Sequence, residues 1–469
     1  MNFVQIEFAA FFAVVYAIYW SLRDVRRQNL LLVVASAVFY GWVHPWFVLL
    51  LYAASIVDFS ATNLMATYPR RRSVFLAMSV GANLSMLAFF KYFDFFVANV
   101  GVALSSVGLD VHPATLGVML PVGISFYTFQ TIGYAVDVWR GEIRPRTSFL
   151  NYIAYVSFFP QLVAGPIERA GRLLPQFERP RVWTATGLES GITLMLWGAV
   201  KKVVLADSLA PYVDKIFALR DPAGPLIWAA TAAFMIQIFA DFSGYTDIAR
   251  GTARLLGFEL MENFREPFLS KSVSEFWQRW HISLSSWIRD YVLGPLLGER
   301  PTLLRFAWAT MLTFAIIGFW HGPSWNFLLF GVYHGFWTVT QGLLARPAAR
   351  LTRIPGWQVP AIAFQLVGVG LVGSLFFREH SIRRIGQHLS KSPFEATADE
   401  WVATTVVVSV TALTIVPLLL GWAWNRWLTV PFGRAGWYFP MRTSAWVVYA
   451  LALWVFWRVG AQDFVYFQF

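Results

Sequence analysis

Cysteine is absent from all 469 residues. That excludes disulfides, thiolate metal sites, cysteine nucleophiles and acyl-cysteine intermediates. Charge is scarce too: Asp, Glu, Lys and Arg make up 13% of the chain, about half the share of an ordinary soluble domain. So little charge cannot cover a water-soluble body of this length, and a disordered, solvated chain is excluded for the same reason. Familiar catalytic motifs are missing as well. There is no G-x-S-x-G elbow, no G-x-x-x-x-G-K-[ST] phosphate loop and no H-E-x-x-H metal helix. None of the 7 histidines is followed five residues on by Asp. A hydrolase triad, an ATPase and a zinc site are therefore unsupported. No internal repeat, low-complexity tract or long soluble domain is found.

What is present is apolar. Hydrophobic residues reach 57% and aromatics 18%, with 23 Trp and 43 Phe. A helix needs about 20 apolar residues to cross a hydrocarbon core ~30 Å thick. Candidate spans fall at 5–22, 29–42, 46–67, 74–98, 116–139, 187–206, 226–249, 305–320, 324–345, 358–377, 401–424 and 444–460. They predict an all-α, polytopic membrane protein with 11–12 transmembrane helices, the fourth span dividing in two on one reading. The first span is no cleavable signal peptide, since it lacks a basic leader and carries Glu7.

The net charge of +11 points to anionic lipid at the membrane surface rather than to nucleic acid. Arg23, Arg26 and Arg27, then Arg70, Arg71 and Arg72, then Arg140, Arg144 and Arg146 lie in alternate loops. Arg169, Arg172, Arg179 and Arg181, and later Arg346, Arg350 and Arg353, keep the same parity. The positive-inside rule makes this face cytoplasmic and the N-terminus outside. The 378–400 connection breaks the rule, for it carries Arg378, Arg383, Arg384 and Lys391 on the expected outer side.

Two segments are too polar to face lipid. The first, 149–166, lies between basic loops and is expected to be re-entrant or interfacial. In the second, 272–292, Trp277, Trp280, Leu284, Ile288 and Tyr291 recur at helical spacing, with His281 on the same stripe and Glu275, Arg279, Ser286 and Asp290 beside it. It reads either as a helix turned into the protein or as an amphipathic helix on the cytoplasmic surface.

His321 is followed by Gly322-Pro323, so the helix that begins near Arg305 breaks at an imidazole. Broken backbone at membrane depth is tolerated only where protein or a water-filled cavity surrounds it, which marks a functional site; a turn histidine at headgroup level is the alternative. His334 reads as a helix–helix hydrogen bond, and His44, His112, His380 and His388 as structural or solvated. In 241–247 two carboxylates, Asp241 and Asp247, sit with Ser243, Tyr245 and Thr246. They are expected to line a cavity or cap neighbouring helices, Asp247 with Arg250. Lys201 and Lys202 either snorkel, the favoured reading, or bind phosphate.

The run 276–291, Phe-Trp-Gln-Arg-Trp-His-Ile-Ser-Leu-Ser-Ser-Trp-Ile-Arg-Asp-Tyr, resembles the signature of the membrane-bound O-acyltransferases, and most of all their bacterial alginate O-acetyltransferase branch. Residues 158–169, Asp241-Phe242-Ser243-Gly244-Tyr245, Glu262-Asn263-Phe264, Pro267-Phe268 and Gly318-Phe319-Trp320-His321-Gly322 are similar to that branch too. The likeness covers most of 1–345, with the core motifs in 116–345, and is loose in the C-terminal helices of 346–469. It implies one membrane-embedded domain, 1–469, around a central funnel. It also implies transfer of an acyl group from a cytoplasmic thioester toward an acceptor across the bacterial inner membrane. His321 matches the family's catalytic histidine and His281 its second histidine. Read with the chemistry, His321 is the expected general base, and His281 positions or polarises the acyl carbonyl or binds the thioester side. Trp277, Trp280 and Trp320 wall the tunnel with Asp241, Tyr245 and Asp290 in support, and Arg279 or Arg289 holds donor phosphates. No cofactor or metal is expected to be resident; acetyl-CoA or another acyl thioester is the substrate. The acceptor is a polysaccharide or a periplasmic relay protein. Two rivals are D-alanyl transfer to a cell-wall polymer and a transporter with histidine proton relays, for which inverted repeats would be needed.

Overall fold

The computed structural model describes residues 1–109, 115–351, 354–424, 438–457 and 464, without the side chains of 345–351, 438–440 and 442. His112 and the side chains of Arg346, Arg350 and Arg353 lie outside the described residues. The described chain is all-α, and its one β feature is an isolated antiparallel bridge between Phe264 and Trp280. By length and composition 6 helices can each cross a membrane: Trp46–Thr67, Pro69–Ser106, Gly224–Leu255, Leu303–His321, Gln358–Arg378 and Ala398–Ala423. Ile6–Ser21, Val25–Tyr40, Ile124–Arg140, Ala185–Ala199, Trp325–Leu351 and Tyr438–Phe456 account for the remaining expected spans.

Several boundaries differ from expectation for visible reasons. The span expected from 116 begins at Ile124, because Pro121 and left-handed Gly123 (φ 79°) precede it. Pro69–Ser106 is one continuous run, not two pieces, with a wider π turn at Ala88–Tyr92. The helix through Lys201 does not stop at 206; it passes through a π turn at Val200–Ala206 and runs on to Ala218. The last helix ends at Phe456, and 458–460 are outside the described residues.

Gly224–Leu255 is the axis of the molecule, with 72% of its apolar window buried. It packs most extensively on Ala185–Ala199, and Leu303–His321 on Trp325–Leu351. Small residues permit both crossings. A Cβ on Gly198 would stand 2.5 Å from the Gly244 carbonyl, and one on Gly318 2.2 Å from the Phe327 carbonyl.

Among the described residues, the arginine-bearing loops up to Arg181 come together. The Arg181 guanidinium donates to Tyr19 Oη (2.8 Å), Gln28 Oε1 (3.0 Å) and Asn29 Oδ1 (2.9 Å). Arg146 pairs with Glu178 at 3.4 Å, and Asn63 Nδ2 donates to the Arg146 carbonyl at 3.3 Å. The exceptional cations of 378–400 are neutralised locally: Arg378 by Asp214 (2.9 Å), Arg384 by Glu379 (3.0 Å) and Lys391 by Asp221 (2.5 Å).

Candidate active site

The polar 272–292 stretch is not one helix. It forms Val273–Arg279 and Ile282–Ile288, broken at Trp280-His281, so the single stripe expected through His281 does not exist. The break is made by the extended 262–265 segment. Arg265 N–H donates to the Arg279 carbonyl (2.9 Å), Ile282 N–H to the Asn263 carbonyl (2.9 Å) and Ser283 N–H to Asn263 Oδ1 (3.1 Å). His281 itself takes a left-handed backbone (φ 45°), a conformation that costs a non-glycine residue of order ~1 kcal/mol or more. The surrounding hydrogen bonds hold it there. His281 is fully buried against Phe242 (ring centroids 4.7 Å) and Phe126 (6.3 Å). The segment is therefore turned into the protein and is not a surface helix.

The 149–166 segment is likewise buried, as Phe149–Ser157 and Phe159–Leu162. Phe159 N–H donates to Ser36 Oγ at 3.1 Å, and Ile167 N–H to Ser283 Oγ at 2.9 Å. A Cβ on Gly123 would stand 2.6 Å from the Leu162 carbonyl, so left-handed glycine lets Ile124–Arg140 start against this segment.

His321 ends Leu303–His321, where Gly322 turns extended. Trp320 links the two imidazoles, with its ring centroid 6.1 Å from His281 and 5.0 Å from His321. Two cavities meet at His321. The first, about 100 Å³, is lined by Lys91, 120–126, Val163, Trp320 and His321. The second, about 60 Å³, is aromatic, lined by Phe276, Trp277, Trp280, Phe330, His334 and Phe377 among others, and again by His321. Phe268, Phe276 and Trp280 belong to the segment that leaves the arginine face. Residues 120–123 precede Ile124–Arg140 at its end away from Arg140. The Lys91 cavity thus lies toward the end opposite the arginine face.

Other expected site residues lie elsewhere. Asp241 lines neither cavity; it is fully buried and pairs with Lys202 at 2.7 Å, while Lys202 also holds Asp207 at 2.9 Å. Asp247 pairs with Lys201 (2.7 Å) and Arg250 (3.2 Å). Both lysines are buried, so neither snorkels, because the π turn directs them at the carboxylates of the central helix. Tyr245 packs on Phe3 (4.7 Å) and Phe464 (4.9 Å), away from both cavities. Arg279 pairs with Glu275 (2.7 Å) and Arg289 with Asp290 (2.9 Å). Asp290 also pairs with Arg169 (2.8 Å), beside the Tyr291–Asp137 hydrogen bond (2.6 Å). Arg169, Arg289 and Asp290 form a partly exposed ionic cluster beside Arg140.

His334 was expected only as a helix–helix contact, and Lys91 was not singled out at all. His334 is buried on the aromatic cavity against Trp277 (5.3 Å) and touches the next helix at Gly373. Lys91 donates from Nζ to the carbonyls of Trp320 (2.6 Å) and His321 (3.0 Å). A lone lysine in the apolar 74–98 span was the signal available for it.

A family model described as "MBOAT, membrane-bound O-acyltransferase family" matches residues 138–368. The chain is 39% identical over 355 residues to the probable alginate O-acetylase AlgI of Azotobacter vinelandii, covering 75% of this chain and 70% of that protein. It is 33% identical over 362 residues to the peptidoglycan O-acetyltransferase of Helicobacter pylori, covering 70% and 67%. It is 29% identical over 231 residues to the teichoic acid D-alanyltransferase of Bacillus subtilis, covering 45% and 56%.

Proposed function

This chain belongs to the membrane-bound O-acyltransferase family and is an O-acyltransferase, and on that premise we propose that it acetylates a polysaccharide outside the cell with an acetyl group from a cytoplasmic thioester. The setting is the bacterial inner membrane, with the arginine face cytoplasmic and the N-terminus outside. The donor is acetyl-CoA or another acyl thioester, and no resident cofactor takes part. The acceptor hydroxyl belongs to the polymer or to a relay protein that delivers the group to it.

The observation that carries this reading is the position of His321 on the walls of both cavities. The aromatic cavity suits the acyl end of the donor, with Trp277 and Trp280 as its walls. The cavity beside Lys91 suits the acceptor. His321 takes the proton of the acceptor hydroxyl as its oxygen bonds to the thioester carbonyl carbon. The C–S bond then breaks, and the departing thiolate recovers the proton from His321. His281 lines neither cavity; it packs against the Trp320 ring that His321 also touches and positions the site through that ring. The aromatic walls keep water from the thioester. General base catalysis contributes about 10²–10⁴-fold. His321→Ala should therefore cut acetyl transfer by about 100-fold or more while its melting temperature stays that of the wild type. Wild-type transfer in that variant refutes the assignment. The D-alanyl alternative is weaker, since identity and coverage are both lower to the D-alanyltransferase than to the O-acetylases.

A further inference from the structure

The helix that carries His321 ends on carbonyls its own backbone does not serve. The donor to the Phe319 carbonyl would stand four residues on, where Pro323 has no N–H. The donor to the Trp320 carbonyl would be Ser324, whose N–H turns instead to the Gly322 carbonyl (2.9 Å). A second helix supplies the missing donors. Tyr92 Oη donates to the Phe319 carbonyl (3.0 Å), and Lys91 Nζ to the Trp320 and His321 carbonyls (2.6 and 3.0 Å). Both side chains come from the π turn Ala88–Tyr92, in a helix otherwise turned outward, with only 17% of its apolar window buried. The Tyr92 ring also lies flat on Phe319, with centroids 4.7 Å apart. On the far side of the break Gly322 is packed so closely that a Cβ there would stand 2.5 Å from the Phe327 ring. Lys201 and Lys202 are held by carboxylates. Among the described residues no carboxylate pairs with Lys91, and its charge is directed at the negative pole of the helix end. His321 is the last residue of that helix, so fraying of the end would carry its imidazole away from the junction of the two cavities. A displacement of about 1 Å can cost a reaction about 10²-fold in rate.

We propose that Lys91 and Tyr92 are positioning residues for the transfer reaction, holding the backbone of His321 so that its imidazole stays where the two cavities meet. This rests on His321 as the general base.

The test is steady-state acetyl transfer by the purified full chain in lipid nanodiscs, with acetyl-CoA as donor and a polyuronic oligosaccharide as acceptor, beside thermal unfolding of each variant. Lys91→Met removes the N–H donors and keeps the length of the side chain. It should lower kcat about tenfold or more and leave both KM values within about twofold. Lys91→Arg keeps charged donors and should recover most of kcat. Tyr92→Phe keeps the stack on Phe319 and should lower kcat by a smaller factor. In the His321→Ala background Lys91→Met should take nothing further from the residual rate, because it acts through that imidazole. Wild-type kcat in Lys91→Met overturns the proposal, and with a lowered melting temperature it leaves Lys91 only a stabilising cap. A raised KM at unchanged kcat overturns it too, as does a further loss on top of His321→Ala. Should Lys91→Met not fold, Tyr92→Phe decides alone: lower kcat at unchanged KM supports the proposal, and wild-type kcat overturns it. Wild-type turnover in His321→Ala refutes the general base and the positioning role together. Lost turnover there with full kcat in Lys91→Met refutes the positioning role alone.

Discussion

The helices Gly224–Leu255 and Ala398–Ala423 are both apolar, with mean hydropathy 1.5 and 2.2, yet 72% of one window is buried inside the protein and 22% of the other. Their polar residues explain the difference. Thr404, Thr411 and Thr414 of the outer helix donate to carbonyls of their own helix, each at 2.7 Å. These threonines lie on the helix's buried face, yet their hydroxyls are satisfied within their own helix and ask nothing of a neighbour. Asp241 and Asp247 of the central helix find lysines on another helix. In a membrane, apolar composition does not tell inside from outside. A polar group that must look across to a second helix does.

Asp241→Ala breaks the comparison most severely. It strips a buried partner from Lys202 and should cost about 3–5 kcal/mol of stability, read as thermal unfolding in detergent. Thr411→Val on the outer helix should cost about 1 kcal/mol or less; equal losses would abolish the distinction. Gly318→Leu at the crossing with Trp325–Leu351 should cost about 1–3 kcal/mol through overpacking in the same assay. The smallest effect belongs to Arg378→Ala, whose partner Asp214 is largely exposed. Double-mutant cycles on that pair should give about 0.2–1 kcal/mol.

The spans were readable because a hydrocarbon core demands long apolar runs, and the break at His321 was readable because Gly322-Pro323 cannot continue a helix. The break at His281 was not. No glycine or proline marks it, and it exists only because Asn263 and Arg265 pair with a segment that otherwise reads as helix. The pairing of Asp241 with Lys202, and of Asp247 with Lys201, was not legible for a related reason. Partners on separate helices, rotated into register by a π turn, leave no periodic trace. Lys91 was passed over, and His334 read only as a helix–helix contact, because each is a lone polar residue in an apolar run, and only the crossing of helices brings them to the cavities that meet at His321.

That meeting of two chambers at one imidazole is tested most directly by steady-state kinetics on two variants, with thioester and acceptor varied in turn. Ser374→Phe fills the aromatic chamber and Ser125→Trp the chamber beside Lys91. The expected result is a raised KM for thioester alone in the first variant and for acceptor alone in the second. A shift in the same substrate for both variants would contradict the division of the site at His321.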